Sequence, residues 1–153
     1  MRWLFGILGV LMLATMLRPA FAGGALEIEG AWIREAPPTA TILAAFMVLR
    51  NLSAEPVDIV SVTSPRFGRV EVHQTRSEEG MVKMVRQERL TVPAEGHLEL
   101  APGGYHLMLF DPREPVRAGQ RIALMLHTRD GREIAVDAEV RRATGMHGMQ
   151  HHH

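Results

Sequence analysis

Short runs of alternating or apolar residues, bounded by Gly, Pro, Asn or Asp, dominate this sequence. Residues 26–29 and 56–62 alternate apolar and polar side chains, as strands with one buried face do. Residues 42–49 form an apolar run that suits a buried strand or a short helix, and the flanking Asn51 and Pro56 favour a strand. Further strands are predicted at 70–75, 81–87, 90–92, 97–100, 105–110, 121–127 and 133–140. This pattern predicts an all-β sandwich or barrel in a single domain.

Two histidines and two methionines have a spacing that predicts a metal site. Ten residues separate His73 from Met84, 21 separate Met84 from His106, and one separates His106 from Met108. His106 and Met108 therefore lie on the same face of one strand. Thioether sulfur suits Cu(I) and is a poor ligand for Zn²⁺, Ca²⁺ or Mg²⁺. The chain has no cysteine, which excludes a blue-copper centre with its thiolate ligand. The four residues predict a Cu(I) site.

The other two ligands lie on two strands that residues 77–80 connect. If these four residues form the loop, His73 lies directly opposite Met84, and Glu71 lies opposite Arg86. Directly opposed side chains have Cβ atoms about 5 Å apart, close enough to share a metal.

The pattern His-x10-Met-x21-His-x-Met resembles the signature of the periplasmic copper chaperones called PCuAC. The resemblance runs from about residue 26 to residue 140. It includes Gly-Ala-Trp-Ile-Arg at 30–34, Ala-Ala-Phe-Met at 44–47 followed by Asn51, and Pro-Gly-Gly at 102–104. It implies a cupredoxin-like β-sandwich that binds Cu(I) through the four residues. It also implies delivery of copper to the copper centres of cytochrome c oxidase, with a thioredoxin-fold copper protein as an intermediary.

The first 22 residues are predicted to be a cleavable signal peptide. Arg2 provides a short positive region, residues 4–17 are apolar, and Ala20-Phe21-Ala22 fits a cleavage site. The apolar stretch is shorter than the ~20 residues of a membrane span, and no cysteine follows it for a lipid anchor. We therefore expect a monomeric periplasmic protein whose copper-binding domain spans residues 25–142.

Residues 143–153 have a different composition from the strands and form a predicted flexible tail. The tail has no periodicity, and short His-rich tracts commonly bind metals. Imidazole tolerates Cu(II) better than thioether does, so this segment could be a secondary copper site that also accepts Cu(II). A disordered terminus or the remnant of an affinity tag is the alternative. The candidate copper ligands of the tail are Met146, His147, Met149, His151, His152 and His153.

The remaining histidines and methionines are predicted to have other roles. His97 and His127 are interpreted as surface or structural residues, Met47 and Met125 as core residues, and Met81 as a packing residue. Trp32 and Arg34 could line a binding face, although a structural role near the edge of the sheet is favoured.

Charge and motif content exclude several functional classes. Without the signal peptide, 15 basic and 17 acidic residues remain, which gives no reason to expect binding to nucleic acid. No nucleophile-elbow or phosphate-loop pattern is present, so we expect no enzymatic activity. Two alternatives to a chaperone stay open: a copper-buffering or resistance protein, and a β-sandwich interaction module that binds no metal.

Overall fold

The computed structural model describes residues 25–143, which form ten strands joined by turns and loops. Each strand predicted from the sequence is present, and residues 42–49 belong to a strand. Residues 25–143 contain no helix, so the all-β prediction is confirmed. In this part of the chain, accordingly, no helix has the length and apolar character to cross a membrane. The strands are β1 (Leu26–Arg34), β2 (Ile42–Asn51), β3 (Val57–Thr63), β4 (Phe67–Glu78), β5 (Met81–Gln87), β6 (Leu90–Val92), β7 (His97–Leu100), β8 (Tyr105–Pro112), β9 (Arg121–Thr128) and β10 (Glu133–Arg141).

All ten strands belong to one mixed sheet with the order β5-β4-β8-β7-β2-β1-β10-β9-β3-β6. Most neighbouring strands are antiparallel, whereas β1 pairs with β10 and β7 pairs with β8 in parallel. Strand β2 also pairs with β8, so β8 lies between β4 and β2. Strands β5 and β6 are the two edges of the sheet.

The hydrophobic core follows from the two-residue period of the strands. Ile122, Leu124 and Leu126 alternate with more exposed residues along β9, and Leu107 and Leu109 do the same on β8. Every strand except β5 contributes a buried side chain to this one cluster. Because strands from distant positions in the sheet meet in the same core, the sheet folds over into a sandwich. The opposite face of β8 carries an imidazole, a thioether and an aromatic ring, those of His106, Met108 and Phe110.

The buried side chain of Asn51 joins two neighbouring loops at one end of the sandwich. Its Nδ2 donates to the backbone oxygens of Glu55, Val92 and Pro93 at 2.7, 3.3 and 3.1 Å. Its Oδ1 accepts hydrogen bonds from the backbone N–H and the hydroxyl of Ser53 at 3.0 and 2.7 Å. Asn51 is only 1% exposed, so water cannot replace these bonds easily.

We expect Asn51→Ala to lower the free energy of unfolding by about 2–4 kcal/mol, because buried carbonyl groups lose their donor. The measurement is urea unfolding at equilibrium. The control is Leu52→Ala at the next position, which is 57% exposed and should cost less than about 0.5 kcal/mol. Equal losses in the two variants would contradict the role assigned to Asn51.

Candidate metal centre

The four predicted copper ligands lie on one face of three adjacent strands. His73 on β4 is directly opposite His106 on β8, and their ring centroids are 6.1 Å apart. Met108 follows two residues later on β8 and shares its face. Met84 on β5 is opposite Thr75, which lies two residues after His73 on the same face of β4. The structure therefore brings all four residues to one region of the sheet.

A cleft of about 320 Å³ opens over this region. Met84, His106 and Met108 line the cleft, and Arg34 and Phe46 line it from β1 and β2. Exposure differs strongly among the ligands, since Met84 is 60% exposed and His106 is 5% exposed. The ligand set thus reaches from the interior of the sandwich to its surface.

The predicted register of the β4–β5 hairpin is wrong by two residues. Glu78 pairs with Met81, so the turn contains only Glu79 and Gly80. Both turn residues have positive φ, at 51° and 77°, as the two-residue type I′ hairpin turn requires. His73 therefore lies opposite Arg86 and diagonally across from Met84. A shift of two residues keeps every side chain on its predicted face, so the four ligands still share one face.

The two histidines present different ring nitrogens to their protein neighbours. Nδ1 of His106 lies 3.1 Å from the backbone oxygen of Gly104, which can only accept, so this nitrogen carries the proton and Nε2 is left with a lone pair. Nε2 of His73 lies 2.9 Å from Oε2 of Glu71. Nδ1 of His73 is buried and has no hydrogen-bond partner among the described residues.

Glu71 is a half-buried carboxylate held between two arginines and a histidine. Its Oε1 is 3.0 Å from Arg69 and 3.8 Å from Arg86. The side chains of Glu71 and Arg86 thus meet as the sequence predicts, although the two residues are not directly opposed. The hydrogen bond from His73 is the main reason why the pKa of Glu71 lies below its ordinary value, and the charges of Arg86 and Arg69 lower it further.

An aromatic shelf beside the ligands includes residues that the sequence interpretation placed elsewhere. Phe46 lies 6.5 Å from His106 and 4.8 Å from Trp32, measured between ring centroids. The guanidinium carbon of Arg34 lies 5.4 Å from the Phe46 ring and 5.9 Å from the Trp32 ring. The expected position of Trp32 and Arg34 near the edge of the sheet is wrong, because β1 lies between β2 and β10. The cation–π contacts hold a positive charge at the rim of the cleft.

The other histidines and methionines of the described residues lie away from the cleft. His97 is exposed, and Nε2 of His127 is 2.9 Å from the hydroxyl of Thr63, which agrees with surface or structural roles. Met47 is buried as predicted, whereas Met125 is only partly buried and lies outside the core cluster. Met81 is 58% exposed and is therefore not a packing residue. Within residues 25–143, no three His, Asp or Glu side chains form a cluster that could hold a metal ion. The predicted ligands of the tail, in residues 144–153, lie outside the described residues.

Sequence comparison identifies the family. Residues 26–140 match the family described as "Putative lipoprotein LpqE-like". A protein of Leifsonia xyli subsp. xyli, named "Putative lipoprotein Lxx21020", is 30% identical over 133 residues, which cover 86% of this chain and 79% of that protein. This chain belongs to the LpqE-like family.

Solved structures similar to this LpqE-like protein include PCuAC domains. The copper-bound PCuAC domain from PmoF2 is 24% identical and has a TM-score of 0.67, covering 78% of this chain and 95% of that domain. The solution structure of Cu(I)-bound DR1885 from Deinococcus radiodurans is 32% identical and has a TM-score of 0.60, covering 78% of this chain and 81% of that protein. The PCuAC resemblance and the cupredoxin-like β fold predicted from the sequence are therefore confirmed.

The hairpin turn of this LpqE-like protein offers a direct test of the register. Glu79→Asn should stabilise the protein by about 0.5–1 kcal/mol, because Asn adopts positive φ more readily than Glu and Asn-Gly is the preferred type I′ pair. Thermal unfolding measures the effect. Glu78→Asn is the matched control, since Glu78 has ordinary strand geometry and its replacement should not stabilise the protein. No gain from Glu79→Asn would argue against the two-residue turn.

Proposed function

We propose that this protein is an exported copper chaperone that binds Cu(I) and transfers it to another copper protein. The observation that carries this proposal is the common face on which His73 and His106 oppose one another, with Met84 and Met108 beside them. Two neutral imidazoles and two thioethers form a ligand set that favours Cu(I) over harder ions. The names of the solved structures, copper-bound PmoF2 and Cu(I)-bound DR1885, support the same cargo. The protein would carry the ion without catalysing a reaction.

The name of the family and of its Leifsonia member, "Putative lipoprotein", supports export. We further propose that the mature protein acts in the periplasm after the signal peptide, residues 1–22, is cleaved off before Gly23, as the sequence predicts.

The graded exposure of the ligands supports transfer by ligand exchange. Met84 is the most exposed of the four candidate core ligands, whereas His106 is buried. Met84 also lies on an edge strand of the sheet. An incoming ligand of the acceptor can therefore approach the copper ion at Met84 while His106 keeps its position. The positive charge of Arg34 at the rim suits a carboxylate on the acceptor surface. The acceptor that we propose is the copper subunit of cytochrome c oxidase or a thioredoxin-fold copper protein.

Two other functions remain as competing proposals. A copper-buffering or resistance protein would hold copper without a specific acceptor, and much of the ion would bind to the tail. An interaction module without metal would use the same face for a protein partner. The cleft favours a metal site over such a module, since three candidate ligands line it together.

Replacement of a core ligand should weaken Cu(I) binding without unfolding the protein. We expect His106→Ala and Met108→Ala each to reduce Cu(I) affinity by at least about tenfold, because each removes one donor from the ion. The measurement is anaerobic Cu(I) titration against a competing chelator, using protein that lacks residues 144–153. The same protein should bind Zn²⁺ far more weakly than Cu(I), because thioethers contribute little to zinc binding.

Met81→Ala is the matched control for these variants. Met81 is an exposed methionine on the same hairpin, three residues before Met84 and hence on the other face of β5. Its replacement should leave Cu(I) affinity unchanged. If folded His106 and Met108 variants bind Cu(I) as tightly as the parent, the four residues are not the ligands.

The exchange mechanism predicts a kinetic difference between the ligands. Met84→His should slow copper transfer to an acceptor peptide with two methionines, because imidazole is a stronger donor than thioether and leaves the ion less readily. Met81→His places the same residue on the opposite face of β5 and should leave the rate unchanged. Transfer is followed by stopped-flow mixing with the peptide in excess. Equal transfer rates for Met84→His and the parent protein would show that exchange does not begin at this position.

The position of Arg141 and Arg142, just before the tail, supports a copper-binding role for the tail. The backbone N–H of Glu35 donates to the oxygen of Arg141 at 2.8 Å, and the side chain of Arg142 lies 3.7 Å from Glu35. Glu35 lines the ligand cleft. Arg141 and Arg142 therefore lie beside the cleft, and the first methionine and histidine of the tail sequence follow within five residues. We propose that it binds copper, including Cu(II), as a secondary site.

Deletion of residues 144–153 should remove most Cu(II) binding at neutral pH and leave one Cu(I) bound to the core, because imidazoles that accept Cu(II) are concentrated in the deleted segment. Copper stoichiometry in both oxidation states, with and without these residues, provides the measurement. Unchanged Cu(II) uptake after truncation would contradict a copper-binding tail. Loss of both ions would favour the buffering protein over the chaperone.

A further inference from the structure

We propose that Glu71 is a positioning residue for copper binding, an inference that rests on the proposed Cu(I) function. Its carboxylate holds the proton of His73 on Nε2 and thereby leaves Nδ1 of His73 as the nitrogen that binds copper. His106 binds through the other ring nitrogen, Nε2. The two opposed histidines thus use different nitrogens for one ion.

The contact between Glu71 and His73 is short, shielded and directional. Nε2 of His73 lies 2.9 Å from Oε2 of Glu71, and the two side chains are 13% and 14% exposed. A carboxylate can only accept, so Nε2 is the protonated nitrogen in this contact. Low exposure limits competition from water, and a charged acceptor strengthens the hydrogen bond. The tautomer of His73 is therefore set by Glu71.

The two oxygens of Glu71 have separate tasks. Oε1 forms ion pairs with the guanidinium groups of Arg69, at 3.0 Å, and Arg86, at 3.8 Å. Oε2 instead accepts the hydrogen bond from His73. The guanidinium carbon of Arg69 also lies 4.1 Å from the ring centroid of Phe110, which restrains that arginine. A hydrogen bond to a carboxylate is the arrangement that metal-binding histidines use to fix their orientation and raise their basicity.

The remaining nitrogen of His73 lacks a role within the protein. Nδ1 is buried and has no hydrogen-bond partner among residues 25–143. A buried acceptor without a hydrogen-bond partner is energetically unfavourable, so such a group calls for an explanation. A copper ion shared with His106 supplies the missing partner. In His106 the protonated nitrogen is Nδ1, which donates to Gly104 at 3.1 Å, and the lone pair is on Nε2.

A direct role of Glu71 as a copper ligand fits the contacts less well. Both of its oxygens already accept from cations or from imidazole, and carboxylate oxygen is a poor match for Cu(I). Glu71 acts on the ion through His73.

The first test reads the histidine nitrogens of the whole mature protein by proton–nitrogen NMR. Cu(I) is diamagnetic, so the loaded protein gives the same type of spectrum as the copper-free protein. Without copper, we expect the Nε2–H tautomer for His73 and the Nδ1–H tautomer for His106. Addition of Cu(I) should shift Nδ1 of His73 and Nε2 of His106. A copper-induced shift at Nε2 of His73 would overturn the inference while leaving the proposed function intact, whereas no shift at either histidine would count against both.

The second test compares two replacements of Glu71. Glu71→Gln keeps an acceptor oxygen of similar reach, whereas Glu71→Ala removes the acceptor. We expect Glu71→Ala to mix the two tautomers of His73 and to lower Cu(I) affinity by about 10–100-fold. Glu71→Gln should retain the Nε2–H tautomer and recover most of that affinity. The NMR spectra report the tautomer of His73. A competition with a chelator, followed through the NMR signals of His73 and His106, reports the Cu(I) affinity.

Glu29→Ala is the matched control, since Glu29 is a carboxylate on β1 that pairs with Arg50 at 3.3 Å, away from the ligands. It should change neither the tautomer nor the affinity. If Glu71→Gln binds Cu(I) as weakly as Glu71→Ala while His73 keeps its tautomer, Glu71 contributes only charge and the positioning role is wrong. If Glu71→Ala does not fold, the parent and Glu71→Gln spectra still decide which nitrogen binds the ion.

Discussion

The antiparallel pairing of β4 with β8 is the constraint on which the candidate metal centre depends. Val72 pairs with Leu107 in this ladder and both face the core, so His73 and His106 at the next pair face the other way. A slip of one residue would put imidazoles into the core and leucines into solvent, at a cost of several kcal/mol of apolar burial. Hydrophobic packing, rather than any attraction between the ligands, therefore sets the position of the opposed histidines.

The strand content was predictable because the two-residue period is a local property of the sequence. The apolar run of β2 is a strand since β1 lies on one side and β7 and β8 lie on the other, which leaves no room for a helix. The predicted strand at 70–75 was too short, since β4 extends from Phe67 to Glu78. Its two ends have little apolar alternation and are held by ladder pairing with β8 and β5, which a local pattern does not contain.

The candidate site was only partly predictable for a similar reason. Spacing along the chain pointed to four candidate ligands. The error in the hairpin register arose at Glu79, because Glu is a residue type that rarely adopts positive φ. The contributions of Arg34 and Phe46 depend on β1 and β2 lying next to β8, a long-range arrangement that follows from sheet order. The tautomer of His73 that Glu71 stabilises depends on the side-chain rotamers of both residues, which sequence spacing does not reveal. One feature of the sequence did point to Glu71: it lies two residues before His73 and therefore on the same face of β4.

The edge position of β5 means that binding of the proposed copper ion would affect the rigidity of the protein. Within residues 25–143, this strand pairs only with β4 and contributes nothing to the core cluster, so its backbone amide hydrogens should exchange with solvent sooner than those of the interior strands. An ion held jointly by Met84 and the β8 ligands would cross-link this loose hairpin to the centre of the sheet. Loading would tighten one border of the molecule and unloading would free it, so an acceptor could distinguish full from empty protein by stiffness as well as by chemistry.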